Sequence, residues 1–245
     1  MELQSLVIMP YKFALSGGLG DCIRQCFVHD GYFHLLTPDS GECIIHSHNP
    51  FTEELVKWHP AVLNGRCVLT KIPFNPSNHH ALDIGAPRVS VETPIFFGAD
   101  LEKLRLLLPK TPYVILAPDA GDPCKSLPEN ILLEALRAYD PFLPKVLIGH
   151  TQSGSNVWTA HSEMLKDVID LRNLLNVPET IYAIKNAHHV FTAHSAVNMI
   201  AWLWHTAQTV CVPKQLHYEL YQSGSYRTQR FDYGLNHTYS RMLIY

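Results

Sequence analysis

Asp21 is the first residue whose setting suggests chemistry. It follows Gly17, Gly18 and Gly20 in "GGLGDCIRQCF", where a flexible loop runs straight into an amphipathic segment. Glycines there admit backbone angles and close approaches that a Cβ forbids. A glycine loop at a helix start can also bring backbone N–H groups to an anion. A carboxylate repels an anion, so Asp21 is either a helix cap or part of a site with two tasks. The second candidate is Lys125, in "APDAGDPCKSLPEN" (117–130). Ser126 and Glu129 match the S-x-x-E capping box that opens helices. A lysine beside a helix N-terminus opposes the macrodipole by about 0.3–1 kcal/mol when exposed, and a bound diphosphate would reverse that sign. Lys125 is thus either a solvated lysine or an anion ligand. The third candidate pair is Ser195 and Asn198, at the start of "SAVNMIAW". Ser195 is a capping type of residue, and Asn198 in the first turn faces either ligand or solvent.

The elements around these residues are most regular after position 110. "YVILAP" (113–118), "KVLIG" (145–149), "VIDL" (168–171), "HHVFTA" (188–193) and "TVCVP" (209–213) are short apolar runs that read as strands. Between them, 127–139, 178–187 and 195–208 read as helices, with a shorter helix in "HSEMLKDV". The spacing puts Ile131, Leu132, Ala135 and Leu136 on one helical face, and Val197, Ile200, Ala201 and Trp204 on another. Strands alternating with helices imply a parallel sheet, and ligands of such sheets bind beyond the carboxyl ends of the strands. The first half is less regular. A strand at 11–15, a helix at 21–29, two strands about a D-S-G turn, a helix in "PFTEELVKWHPAV" and a strand in "RCVLTKI" are expected, with 73–88 as loop. Prolines in "LLLPKTP" (106–112) mark the expected boundary, giving domains 1–110 and 111–245. The tyrosine-rich final segment is weakly patterned, and the reading allows it to pack back on the first domain.

Composition narrows the function classes. Apolar residues make up 47% of 245, enough for real cores, and the net charge of −3 argues against a dedicated nucleic-acid binder. None of the six cysteines forms a C-x-x-C pair, so they read as reduced thiols of a cytoplasmic protein. No apolar run is long enough to span a membrane. The fifteen histidines include His46 and His48 on one strand face, but no third and fourth ligand falls at a metal-binding spacing.

Taken together, the three stretches resemble the heptosyltransferase-type (family 9-like) glycosyltransferases of lipopolysaccharide synthesis. "GGLGDCI" is similar to that family's G-x-x-G-D-x-[IVL] loop, and "PDAGDPCKSLPE" to its P-G-A…K-x-[WL]-P-E segment. "HSAVNMIA" stands where the family has D-[ST]-G-x-x-H-L-A. The resemblance implies an α/β protein of GT-B fold, with two Rossmann-like domains facing each other across a cleft. It implies a cytoplasmic glycosyltransferase that moves a sugar from a nucleotide-sugar donor to an acceptor hydroxyl, inverting and metal-independent. Asp21 would be the base, with Gly17, Gly18 and Gly20 letting substrate approach the backbone. Lys125, His194, Ser195 and Asn198 would bind the donor, with no cofactor. The partners implied are a nucleotide sugar and a glycan, lipid-linked or modified nucleic-acid acceptor. His194 replaces the family's aspartate and Ala196 its glycine, and Asn198 is the polar residue nearest the place of its histidine. Two alternatives follow: a small viral-type glycosyltransferase acting on modified nucleic acid, and a non-catalytic nucleotide or sugar-nucleotide binding module. A histidine at position 194 is expected to meet the diphosphate as a cation, so affinity should weaken as pH rises through its pKa.

Overall fold

The computed structural model describes residues 11–16, 18–20, 22–23, 41–46, 51–57, 60–63, 65, 67–71, 98–121, 123–138, 142–150, 167–215 and 240–245. Gly17, Asp21, His48, the loop at 73–88 and most of "HSEMLKDV" lie outside them. The chain divides into two compact units, Met1–Phe97 and Gly98–Tyr245.

In the first unit, β1 (Tyr11–Ser16), β2 (Gly41–His46) and β3 (Cys67–Lys71) form a parallel sheet in the order β1-β2-β3. Tyr11 is paired with Gly41, and Gly41 with Cys67. Strand β2 therefore has both edges occupied, which leaves none for the hairpin expected about the D-S-G turn. The helix expected over 50–62 is two pieces, α1 (Thr52–Val56) and α2 (Pro60–Leu63). Proline disfavours helical angles in the residue before it, here His59. The glycine loop also differs from expectation. Leu19 and Gly20 already have helical backbone, and the Gly18 carbonyl accepts from the Cys22 N–H at 3.1 Å. The helix thus starts within the glycine run, and Gly18 stands where Asp21 was expected to cap. Cys22 and Ile23 are fully buried, and the Thr52 hydroxyl donates to Cys22 Sγ at 3.6 Å, tying this turn to α1.

Among the described residues the second unit carries six strands: β4 (Val114–Ala117), β5 (Lys145–Leu147), β6 (Val168–Asp170), β7 (His189–Ala193), β8 (Gln208–Val212) and β9 (Ser240–Ile244). All pairings are parallel, in the order β6-β5-β4-β7-β8-β9. The chain enters at the centre, winds outward through β5 and β6, then returns beside β4 and winds the other way. That is the doubly wound order, with its reversal between β4 and β7. Four of its helices are α3 (Leu101–Leu107), α4 (Glu129–Ala138), α5 (Val177–Lys185) and α6 (Ala196–Leu203). All four β4 residues are at most 1% exposed, as in a strand covered on both faces. Val114 and Leu116 pack with Leu127, Ile131, Leu132 and Leu147 in the main core.

The division between the units falls at Phe97/Gly98, ahead of the prolines at 109 and 112. The reason is α3, capped by Asp100, whose carboxylate accepts from the Lys103 N–H at 3.0 Å. Lys103 Nζ donates to the Leu174 carbonyl at 2.6 Å and to Glu179 Oε2 at 2.7 Å, which binds α3 to α5. Residues 240–244 of the final segment join the sheet of the second unit, with β9 paired to β8 from Ser240 to Ile244. On α6 the buried residues are Asn198, Met199, Ile200 and Ala201, while Val197 and Trp204 are half-buried, so the core face is turned from the expected one.

Candidate functional site

The reversal between β4 and β7 opens a crevice at the carboxyl ends of these strands, because the chain leaves them toward opposite edges of the sheet. After β4 the chain makes a closed loop. The Leu127 N–H donates to the Pro118 carbonyl at 2.9 Å, and the Ala120 N–H to Ser126 Oγ at 3.2 Å. A 3-10 turn, Pro123–Lys125, forms its tip and carries Lys125 half-buried. Ser126 therefore closes this loop and is not the cap of the helix behind it. That helix begins at Glu129, with the Pro128 carbonyl accepting from Leu132 at 3.2 Å. Lys125 is held by the loop, four residues ahead of Glu129. Tyr245 braces the loop from β9: its hydroxyl donates to the Ser126 carbonyl at 3.3 Å.

After β7 the chain turns at His194 into α6. Ser195 has extended backbone, and its Oγ accepts from the Val197 N–H at 3.3 Å. Asn198 Oδ1 accepts from the Ser195 N–H at 2.9 Å, which completes a reciprocal cap. Asn198 is 1% exposed. Its side chain thus takes part in the helix start. Ser195 is half-buried and serves the same cap. Ala196, in place of a glycine, is accommodated as the first residue of α6.

Lys125 and His194 follow β4 and β7, which are paired neighbours in the sheet. Burial, and then the charge of Lys125, push the His194 imidazole down to about 4. Its Nε2 is shielded from solvent.

The other side of β4 is polar but self-paired. Gly149, after β5, has φ +148°, and a Cβ there would stand 3.5 Å from Asp119 Oδ2, after β4. After β6, Arg172 Nη2 donates to Asp170 Oδ2 at 2.7 Å and Nε to Oδ1 at 3.0 Å. Burial raises the Asp170 carboxyl, but the hydrogen bonds and charge of Arg172 outweigh it and hold the group below the usual range. Asp119 adds to the field that raises the Arg172 pKa. Sequence reasoning did not single out Asp119, Gly149 or Arg172; the signal available was their position just after strands.

Two histidines buried neutral predict acid sensitivity. His189, at the amino end of β7 and 3.0 Å from Thr209 Oγ1, is also pushed down to about 4, by burial and then by His188. Unfolded, both titrate near 6.5. Between these values the unfolded chain binds more protons, so stability is whole above pH 6.5 and falls as pH drops toward 4. The loss is up to about 3 kcal/mol for His194 and smaller for the half-buried His189, whose charge solvent screens. Urea unfolding from about pH 7 to 5 should show this slope, and His189→Gln should flatten it. An unchanged slope in that variant would refute the assignment for His189.

Among the described residues, no three His, Cys, Asp or Glu side chains gather as a metal site would require, and no helix is long and apolar enough to cross a membrane. No protein-family profile matches the chain, and no curated protein matches it in sequence. Solved structures do. The chain is similar to ADP-heptose lipopolysaccharide heptosyltransferase II of E. coli, at 13% identity and TM-score 0.55, over 95% of this chain and 90% of that one. It is similar to a family 9 glycosyltransferase from Veillonella parvula, at 10% identity and TM-score 0.56, over 98% of this chain and 87% of that one. The chain is an α/β protein that shares the fold of these two transferases.

Proposed function

We propose that the chain is a glycosyltransferase of GT-B type that moves a sugar from a nucleotide-sugar donor to an acceptor hydroxyl. The observation that carries this reading is the fold shared with heptosyltransferase II, a parallel sheet that reverses between β4 and β7, the strands that lead to Lys125 and His194. In the reaction proposed, the acceptor oxygen attacks the anomeric carbon as the bond from that carbon to the diphosphate breaks. The acceptor proton passes to Asp21, which lies outside the described residues, and the configuration inverts. Charge developing on the diphosphate is taken up by Lys125 and the first N–H groups of α6. A lysine and a helix start can supply this without a metal. Neutral His194 lets the diphosphate approach the end of β7.

Heptosyltransferase II is named for ADP-heptose, which makes ADP the first nucleotide to test here. A ligand at about 100 times its dissociation constant stabilises the folded state by about 2.7 kcal/mol. In a chain of this size that is a rise of about 5–10 °C in melting temperature. Melting should be followed with ADP, UDP, GDP and CDP, with and without EDTA. We expect a rise with at least one nucleotide, kept in EDTA and mostly lost in Lys125→Ala. No rise with any of the four would sink the nucleotide-sugar reading. A rise that Lys125→Ala leaves intact would keep the ligand and refute its place.

A further inference from the structure

We propose that Tyr245 is a positioning residue of the donor site: its hydroxyl holds the loop after β4 in the form that presents Lys125, so that β9 bears on nucleotide affinity. The inference rests on the nucleotide-sugar reading for its ligand. What it adds is a residue that touches no ligand and reaches the loop from the far edge of the sheet.

Tyr245 is itself firmly held. Its N–H donates to the Val212 carbonyl at 3.3 Å, and its carbonyl accepts from the Lys214 N–H at 2.7 Å. Its backbone thus continues the pairing of β8 with β9 beyond Ile244. Alternation along a strand puts Leu243 and Tyr245 on one face. Both pack on the core that holds Leu116, Leu127, Phe191 and Cys211. The ring is fixed at its base and along its length, and the hydroxyl at its end donates to the Ser126 carbonyl at 3.3 Å. Burial pushes this hydroxyl up to about 12, so it keeps its proton and donates at ordinary assay pH.

The contact falls where it can act on Lys125. Ser126 directly follows Lys125, whose turn, Pro123–Lys125, is only three residues long. A single 3-10 turn has poor hydrogen-bond geometry and fixes little by itself. The bonds from Leu127 to Pro118 and from Ala120 to Ser126 close the mouth of the loop, but both lie within it. Tyr245 ties the loop to another part of the sheet. β9 stands three places from β4, about 14 Å at the usual strand spacing. One tyrosine does not span that distance, so the loop is drawn toward the β9 side, and the hydroxyl is what it leans on. Without it, a bound diphosphate would have to order the loop at the expense of its own affinity.

The test is Tyr245→Phe in the full chain, which keeps the ring in the core and removes only the hydroxyl. Binding of ADP, UDP, GDP and CDP is measured by calorimetry, and backbone amide exchange is followed by mass spectrometry. For a nucleotide that binds the parent chain, we expect affinity to fall about 3–10-fold, the worth of one neutral hydrogen bond. Exchange without nucleotide should quicken in 119–127, where Ala120 and Leu127 donate within the loop. It should stay parental in β4 and β7. Parental affinity in Tyr245→Phe overturns the inference and leaves the nucleotide-sugar reading standing. So does unchanged exchange in 119–127, or exchange that quickens equally in β4 and β7, because the hydroxyl would then not act on the loop in particular. Failure of all four nucleotides to bind the parent overturns both.

Discussion

Lys103→Ala should cost the second unit about 3 kcal/mol, far more than an exposed lysine is worth. The cause lies in its partner. Glu179 is 2% exposed, and its carboxylate accepts from Lys103 Nζ at 2.7 Å and from the Asn176 N–H at 2.8 Å. Removing the lysine leaves a buried carboxylate with one neutral donor where it had a cation. Breaking a buried pair on one side costs about 3–5 kcal/mol; Lys103 is 36% exposed, which places the loss at the lower end. The melting temperature should fall by about 6–12 °C. Glu179→Gln in the same chain should recover much of this, because glutamine can keep the capping box with Asn176 while carrying no charge. A loss below about 0.5 kcal/mol in Lys103→Ala, as for ordinary surface substitutions, would show that the pair contributes little. An equal loss in the double variant would show that the lysine acts by packing.

The second large effect belongs to Asp21 and depends on the proposed reaction. Asp21→Asn should lower the rate of sugar transfer by about 10²–10⁴-fold, the range that proton transfer by a positioned base supplies. The variant keeps the shape of the side chain and removes its charge and basicity. Asparagine caps helices about as well as aspartate, so stability should move little. Binding of the donor nucleotide, assigned to the second unit, should be unaffected. Transfer at the parental rate in Asp21→Asn would remove the base from the mechanism. Loss of donor binding in the same variant would mean that Asp21 serves the donor.

The strands that build the crevice were legible because each is short, apolar and rich in β-branched residues, with a turn or cap beside it. "YVILAP" and "HHVFTA" show both features, and the structure makes β4 and β7 of them. Helix α3 was missed although its signals were present: Asp100 as cap, Leu101 and Leu104 one turn apart, Pro109 as a stop. The prolines drew attention to a boundary and away from the helix before it. Strand β9, "SRMLI", was missed because it is an edge strand, with Arg241 and Ile244 exposed, and half-exposed strands lack the continuous apolar run of central ones. The Lys103–Glu179 pair, 76 residues apart, has no local signature at all. Nor did the sequence show the local hydrogen-bond partners of Ser126 and Asn198. Both types cap helices, and only the fold decides that Ser126 closes a loop while Asn198 is buried in a reciprocal cap.

Strand β9 also bears on how the protein behaves when it is cut. Its five residues shield β8, "QTVCV", whose own residues are at most 8% exposed. Clipping the chain ahead of Ser240 would turn β8 into an open edge, with a row of unpaired backbone groups over an apolar, uncharged stretch. Edges of that kind template pairing with other chains. Proteolysis at the tail would thus yield self-associating material rather than a trimmed but soluble protein, and would remove Tyr245 from beneath the loop that carries Lys125.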